Sequence, residues 1–397
     1  MARSPEQSKP LYAYIDCVRG YAILLVITCH LTAHFPDLPW PVRRLTSFGW
    51  HGVQLFFLAS ALTLLLSWHF EVSRRGTADV RAFFIRRCFR IVPAYYAAGV
   101  FYALMFPPAD GIAPLQLLTT AAFVNAWHPA LGVWTVPGGW SVSVEVTFYF
   151  LFPLMAWLVT SLSRAVALFL GCVLLASITN QVYTPLLQQT YNPATVDNFV
   201  YFSFPNQIPV FALGGVLFFI IQATQQPRWA KPVALLSRYG TPLAFAAVAM
   251  FFAVAYLPLT HSVGLGFPYI PTFLLACVPL MAFIVVLSAG QRNLFVNRYV
   301  GAMGKASFSA YLFHIAVLDL LPGTFPGAFH VHETGVRAII AYLIAWLVII
   351  PVVYGVAYCS YRAIELPMIN LGKNLIRSQR RRSAPDAVAS TDRSWGA

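Results

Sequence analysis

Between residues 14 and 360 the chain repeatedly turns apolar for close to twenty residues at a time. That length is what an α-helix needs to cross the hydrocarbon core of a bilayer. Candidate crossings lie at 14–34, 49–69, 91–107, 141–161, 165–183, 204–222, 241–258, 270–290, 303–321 and 336–360. The remainder has little with which to stay in water. Only 10% of the 397 residues are charged and the mean hydropathy is +0.68, whereas a soluble domain carries about 25% charged residues. The pattern predicts an all-α integral membrane protein with about ten transmembrane helices. The segment "PLQLLTTAAFVNAW" (114–127) reads as a helix too brief to cross.

Ten crossings put both termini on one side, and the basic residues test that count. With the termini in the cytoplasm, 22 of the 26 Lys and Arg fall inside, Arg19 lies within the first span, and Arg43, Arg44 and Arg337 fall outside. Basic residues favour the cytoplasmic side, so the formal charge of +13 is explained by topology and implies no nucleic-acid partner. The first apolar run carries Arg19 and His30 and lacks a small-x-small cleavage site, unlike a secretory signal. Six cysteines without CxxC spacing indicate neither a disulfide framework nor a zinc site, and no metal is expected. Residues 1–372 form one transmembrane domain in this reading. Residues 373–397 form a disordered, basic cytoplasmic tail whose arginines lie against anionic lipid.

Four polar clusters interrupt the apolar frame. In "IDCVRGYAILLVITCH", Arg19 and His30 are eleven residues, close to three turns, apart. They share a helix face about 16 Å apart along the axis, Arg19 toward the cytoplasm. Ionisable groups within a span usually face a bundle interior or a water-filled path. The plainer alternative pairs Arg19 with Asp16 and makes His30 structural. In "FFIRRCFRIVPAYY", Arg87 and Arg90 are i,i+3 at the cytoplasmic start of the third span. Guanidinium groups so placed suit phosphate, although Arg86 and its neighbours also serve as a topology signal.

The third cluster, "WSVSVEVTFYFLFP", sets Glu145 about one turn into a span that begins at the outer surface. There it matches the depth of His30 and would orient the imidazole for base chemistry. It could equally cap a helix start beside Ser141 and Ser143. The fourth, "GAMGKASFSAYLFH", carries Lys305, Ser307, Ser309, Tyr311 and His314. These either line a polar tunnel or, through the small residues, permit close helix packing. On the outer side, residues 123–140 hold three tryptophans without a Lys or Arg, and 183–199 are rich in amides. Both suit sugar rings, and both suit a membrane interface.

Together these motifs resemble the membrane acyltransferase 3 family, the bacterial multi-pass O-acyltransferases. Arg19 and His30 match its Arg–x10–His, and Arg87 and Arg90 its R-x-x-R. Trp140, Ser141, Ser143, Glu145, Phe148 and Tyr149 match its W-S-x-S-x-E-x-x-F-Y block. Gly304, Ser307, Ser309, Tyr311 and His314 match a late G-x-x-S-x-S-x-Y-L-x-H segment, and "IELP" (Glu365, Pro367) its closing motif. The chain departs from the family at Ala61, where glycine is usual, and in "SFSAYLFH", which is less polar than the usual run.

The resemblance implies a bacterial cytoplasmic-membrane enzyme that moves an acyl group, most often acetyl, from cytoplasmic acyl-CoA to a hydroxyl of an extracytoplasmic glycan. Acyl-CoA would be a co-substrate, with no permanently bound cofactor. Catalysis would fall to His30 and Glu145, and donor binding to Arg19, Arg87, Arg90 and Lys305. Asp16, Trp140, Ser141, Ser143, Tyr149, Ser307, Tyr311 and His314 would support them. The alternative is a transporter or flippase for a glycan or lipid-linked substrate, which predicts paired broken spans in two halves.

Overall fold

The computed structural model describes residues 13–108, 111, 113–129, 135–257, 262–263, 270–290 and 293–383. The basic residues Arg3, Lys9 and Arg292, Trp134 of the loop expected outside, and residues 384–397 of the expected tail lie outside the described residues.

Sixteen α-helices follow one another among the described residues: α1 (Ala13–Ala33), α2 (Trp40–Ser47), α3 (Gly52–Arg75), α4 (Val80–Met105), α5 (Pro114–Ala121), α6 (Gly139–Leu158), α7 (Leu162–Gln188), α8 (Pro193–Phe202), α9 (Phe204–Thr224), α10 (Ala230–Arg238), α11 (Gly240–Val254), α12 (Phe273–Ala289), α13 (Arg298–Lys305), α14 (Ser307–Leu318), α15 (Gly335–Ser360) and α16 (Leu366–Ser383). Ser262–Val263 and Ile270–Pro271 form a two-residue antiparallel ladder.

Seven helical stretches are long and apolar enough to cross a membrane. Two bent pairs, Pro227–Arg238 with Gly240–Val254 and Arg298–Lys305 with Ser307–Gly323, pass the same test together, and Phe273–Ala289 is a shorter apolar helix. Each of the ten expected crossings therefore falls on a helix. The two bends follow Arg238 and Lys305 at one end of the bundle, where Leu294 N donates to Thr241 Oγ1 and Tyr21 OH to Phe295 O. They belong to the seventh and ninth crossings and do not occupy corresponding places in two halves.

Helix α1 forms the axis. Ala22, Ile23, Val26, Ile27 and Leu31 are fully covered, because α3, α12, α13, α14 and α15 surround it. The crossing with α13 depends on glycine: a methyl on Gly304 would lie 1.7 Å from Asp16 O, and one on Gly20 2.2 Å from Val300 O. Across α3 and α9, Ala61 sits where Gly214 has no side chain, a Cβ there lying 2.4 Å from the Ala61 methyl. Gly214 thus supplies the close approach that Ala61 removes. Outer helices α7 and α15 turn leucines and isoleucines outward, among them Leu170, Leu343, Ile344 and Leu347, as lipid-facing helices do.

Two boundaries differ from the sequence reading. Helix α4 begins at Val80, capped by Asp79, which accepts from Ala82 N at 2.8 Å. Arg87 and Arg90 therefore stand within its first three turns and not ahead of it. The hydrogen bond from Ala82 N, with Arg380 alongside, holds the Asp79 carboxyl below its ordinary range. Helix α16 runs on to Ser383, so residues 373–383 are helical and do not belong to a disordered tail. It packs on α4, with Gly372 against Phe89. Arg380 bonds Glu71 at 3.0 Å and Asp79 at 3.3 Å, and Glu71 also holds Arg75 and Arg86 at 3.1 Å.

Candidate active site

A pocket of about 620 Å³, counted to its open mouth, lies among α1, α3, α4, α6 and α14. Arg19, Arg87, Arg90, Glu145, Tyr149, Ser141, Ser307 and Tyr311 line it. All four sequence clusters meet there.

The guanidinium groups arrive from two helices. Arg19 crosses to α3, where Nη2 donates to Thr63 Oγ1 at 3.3 Å. Arg87 lies over the rings of Tyr149 (5.6 Å) and Phe83 (5.9 Å), and its Nε is buried without a partner. A charged side chain at the centre of a span costs about 2.5–3.5 kcal/mol on insertion scales. Behind the pocket, Asp16 lies close to Arg19 and Arg90, and Glu365 close to Arg90. The lining itself holds three arginines and one carboxylate, so positive groups outnumber carboxylates at the pocket surface, as suits an anionic ligand.

That carboxylate belongs to Glu145, and its position corrects the sequence reading. Glu145 Oε1 accepts from Ser60 Oγ and from Tyr149 OH, each at 2.6 Å. Both donors line the arginine pocket. The depth match with His30 failed because α6 starts well inside the bundle: its N-cap residue, Gly138, meets Tyr311 of α14. The chain between α4 and α6 dips back to reach that depth. Tyr96 OH donates to Ala121 O at 2.6 Å, and Phe123 packs on Tyr95 with ring centres 4.9 Å apart. Nor does Glu145 cap α6, since its partners are side chains of other turns. The N-cap is Gly138, in the left-handed conformation at φ 75°.

Ser141 Oγ donates to Tyr311 OH at 2.7 Å, and Tyr311 OH to Gly138 O at 3.0 Å. Ser143 donates to Phe123 O and so ties α6 to the dipping loop. Trp140 is buried against Phe202, with ring centres 4.5 Å apart. The late motif divides between two faces of α14. Ser307 and Tyr311 face the pocket. Ser309 faces away: its backbone N–H and hydroxyl both donate to Glu365, and its oxygen, 2.9 Å from Ser360 Oγ, is left to accept the Ser360 hydroxyl proton. Glu365 thereby satisfies an N–H of the first turn of α14 that has no partner within the helix. Lys305, at the end of α13, is exposed and outside the pocket lining, as is half-buried Asp16.

His30 also stands apart from the pocket lining. Its neighbour is His314, with ring centres 5.1 Å apart. His314 in turn lies 5.6 Å from the ring of Tyr311. A line of rings therefore runs from the pocket wall through Tyr311 and His314 to His30. Sequence reasoning missed Ser60 and Thr63, polar residues in an apolar run whose only signal was their isolation. It also missed the pairing of the two histidines.

Comparison with known proteins agrees with the motif pattern. The chain is similar to peptidoglycan O-acetyltransferase OatA of Listeria monocytogenes, 24% identical over 340 residues covering 81% of this chain and 51% of that protein. It is similar to O-acetyltransferase OatA of Staphylococcus aureus, 25% identical over 383 residues covering 90% and 57%. Acyltransferase MdmB of Streptomyces mycarofaciens is 30% identical over 155 residues, which is 34% of this chain and 37% of that one. The chain spans about half the length of the two OatA relatives. No solved structure matches it. A family model described as an acyltransferase domain matches residues 12–362, and the chain belongs to the membrane acyltransferase 3 family.

Proposed function

We propose that this chain is an O-acyltransferase of the bacterial cytoplasmic membrane. It moves an acyl group, acetyl foremost, from cytoplasmic acyl-CoA to a hydroxyl of an extracytoplasmic glycan. The observation that carries this reading is one pocket lined by Arg19, Arg87 and Arg90 with Glu145 as the carboxylate of its lining, and an exposed His30 eleven residues along the same helix from Arg19. The basic-residue asymmetry supports a cytoplasmic mouth for that pocket. Phosphates of the donor pair with the guanidinium groups, and the thioester arm extends past Tyr311 toward His30. The name of the OatA relatives, peptidoglycan O-acetyltransferase in the Listeria case, supports a cell-wall saccharide as acceptor.

In this reading His30 takes the proton of the acceptor hydroxyl while its oxygen attacks the thioester carbonyl carbon. The C–O bond forms, the C–S bond breaks, and the imidazolium returns the proton to the departing CoA thiolate. A two-step relay through acylated His30 uses the same positions.

Vesicles of known orientation test the proposal. Labelled acetyl-CoA supplied to the cytoplasmic face should yield labelled peptidoglycan fragments on the opposite side. Label that appears only when donor and acceptor share one face would contradict it.

A further inference from the structure

His314 Nδ1 lies 2.7 Å from Tyr311 O. A carbonyl oxygen only accepts, so Nδ1 carries the proton and Nε2 of a neutral ring is left with a lone pair. That Nε2 is buried and without a partner, an arrangement a folded interior tolerates rarely. The nearest titratable ring is His30, 5.1 Å away between centres and tilted by 54°. Each ring nitrogen lies about 1.1 Å off its centre, so this spacing admits an N–H···N hydrogen bond near the usual ~2.9 Å once the two nitrogens turn toward each other along the line of centres. The other charged or titratable groups around the pair are His34, whose Nε2 lies 3.7 Å from Asp319 Oδ1, and Tyr311, whose hydroxyl is already engaged with Ser141 and Gly138. Glu145 is occupied at the arginine pocket.

We propose that His314 is the positioning residue of His30. Its Nε2 accepts the N–H of one His30 nitrogen and leaves the lone pair of the other directed to the open side, where the acceptor hydroxyl arrives. This deepens the acyltransferase reading and rests on it for its chemistry. The Tyr311 carbonyl fixes the tautomer of His314, and His314 fixes that of His30. The chain of orientation thus begins at the residue that closes the donor pocket. The same fixed lone pair serves a base or a nucleophile.

Carbethoxylation tests the pairing without an acceptor. Diethyl pyrocarbonate attacks the free imidazole lone pair, and His30 is exposed to it while His314 is buried. Loss of one orienting hydrogen bond should slow modification of His30, read by peptide mass spectrometry, about two- to tenfold in His314→Leu. His314→Gln, whose amide oxygen can reach the former Nε2 position, should stay within about twofold of wild type. His314→Asn, which falls short of that position, should behave as His314→Leu, so the Asn and Gln pair decides the matter if the leucine variant does not fold. Equal His30 reactivity in Asn, Gln and wild type would overturn the proposal. Acetyl-CoA binding to the same preparations reports separately on the acyltransferase reading: protein that fails to bind the donor yet keeps the Gln–Asn difference retains the pair and loses the reaction assigned to it.

Discussion

The two ends of the Arg19–His30 stretch place opposite demands on the fold. At the arginine end, charge is gathered: three guanidinium groups, the Glu145 carboxylate, Asp16 close behind, and hydroxyls from Ser60, Thr63, Ser141 and Tyr149. At the histidine end, formal charge is sparse and two imidazoles meet beside Tyr311. One end suits holding an anion and the other suits moving a proton. In the proposed reaction, separating the tasks by about 16 Å on one helix would keep the anion's field away from the base and would require a ligand long enough to reach both.

Variants that affect only one end would sharpen this contrast, and His30→Ala should have the largest effect. Removal of a general base costs about 10²–10⁴ in rate, while acetyl-CoA affinity should hold; a matching loss of affinity would merge the two ends. Next is Arg87→Ala with Arg90→Ala. Charge-assisted hydrogen bonds contribute about 1.5–3 kcal/mol each, so donor Kd should rise at least tenfold and lose most of its dependence on salt. Unchanged Kd by calorimetry would reduce both arginines to topology signals. Gly304→Ala attacks the frame common to both ends, because its methyl has no room beside Asp16 O. Overpacking of this kind costs about 1–3 kcal/mol, visible as a lowered Tm in detergent.

Glu145→Gln is the most discriminating of the smaller changes. The amide oxygen still accepts from Ser60 and Tyr149, but the only carboxylate in the pocket lining is gone. Donor affinity should rise up to about fivefold, the range of a modest ion pair, with kcat nearly unchanged. A collapse of kcat at constant affinity would return Glu145 to the histidine end. Arg380→Ala should matter least, shifting stability by about 0.2–1 kcal/mol through the part-buried contacts to Glu71 and Asp79 at the helix ends.

What the sequence disclosed follows the same division. Spans are legible because apolar length is a local property, and each of the ten expected crossings falls on a helix. Arg19, Arg87 and Arg90 were legible because i,i+3 and i,i+11 spacings fix relative direction on a helix. Glu145 was misplaced because its depth depends on where α6 begins, and the dipping chain before it sets that start. The His30–His314 contact joins residues 284 apart in sequence, and no periodicity predicts which helices become neighbours. Ala61 looked like a defect in helix packing until Gly214 appeared opposite it. The helical course of residues 373–383 was hidden because their arginines read as a solvated run, while their anchors, Glu71 and Asp79, lie some 300 residues earlier.

The most direct test of the central claim is acetyl-CoA binding to the purified, detergent-solubilised protein, with adenosine as competitor. The account predicts saturable binding that adenosine does not displace and that Arg87→Ala with Arg90→Ala weakens at least tenfold, since the phosphates engage the arginine pocket. Well-folded protein that binds no acetyl-CoA, or binds it equally well without those arginines, would contradict it.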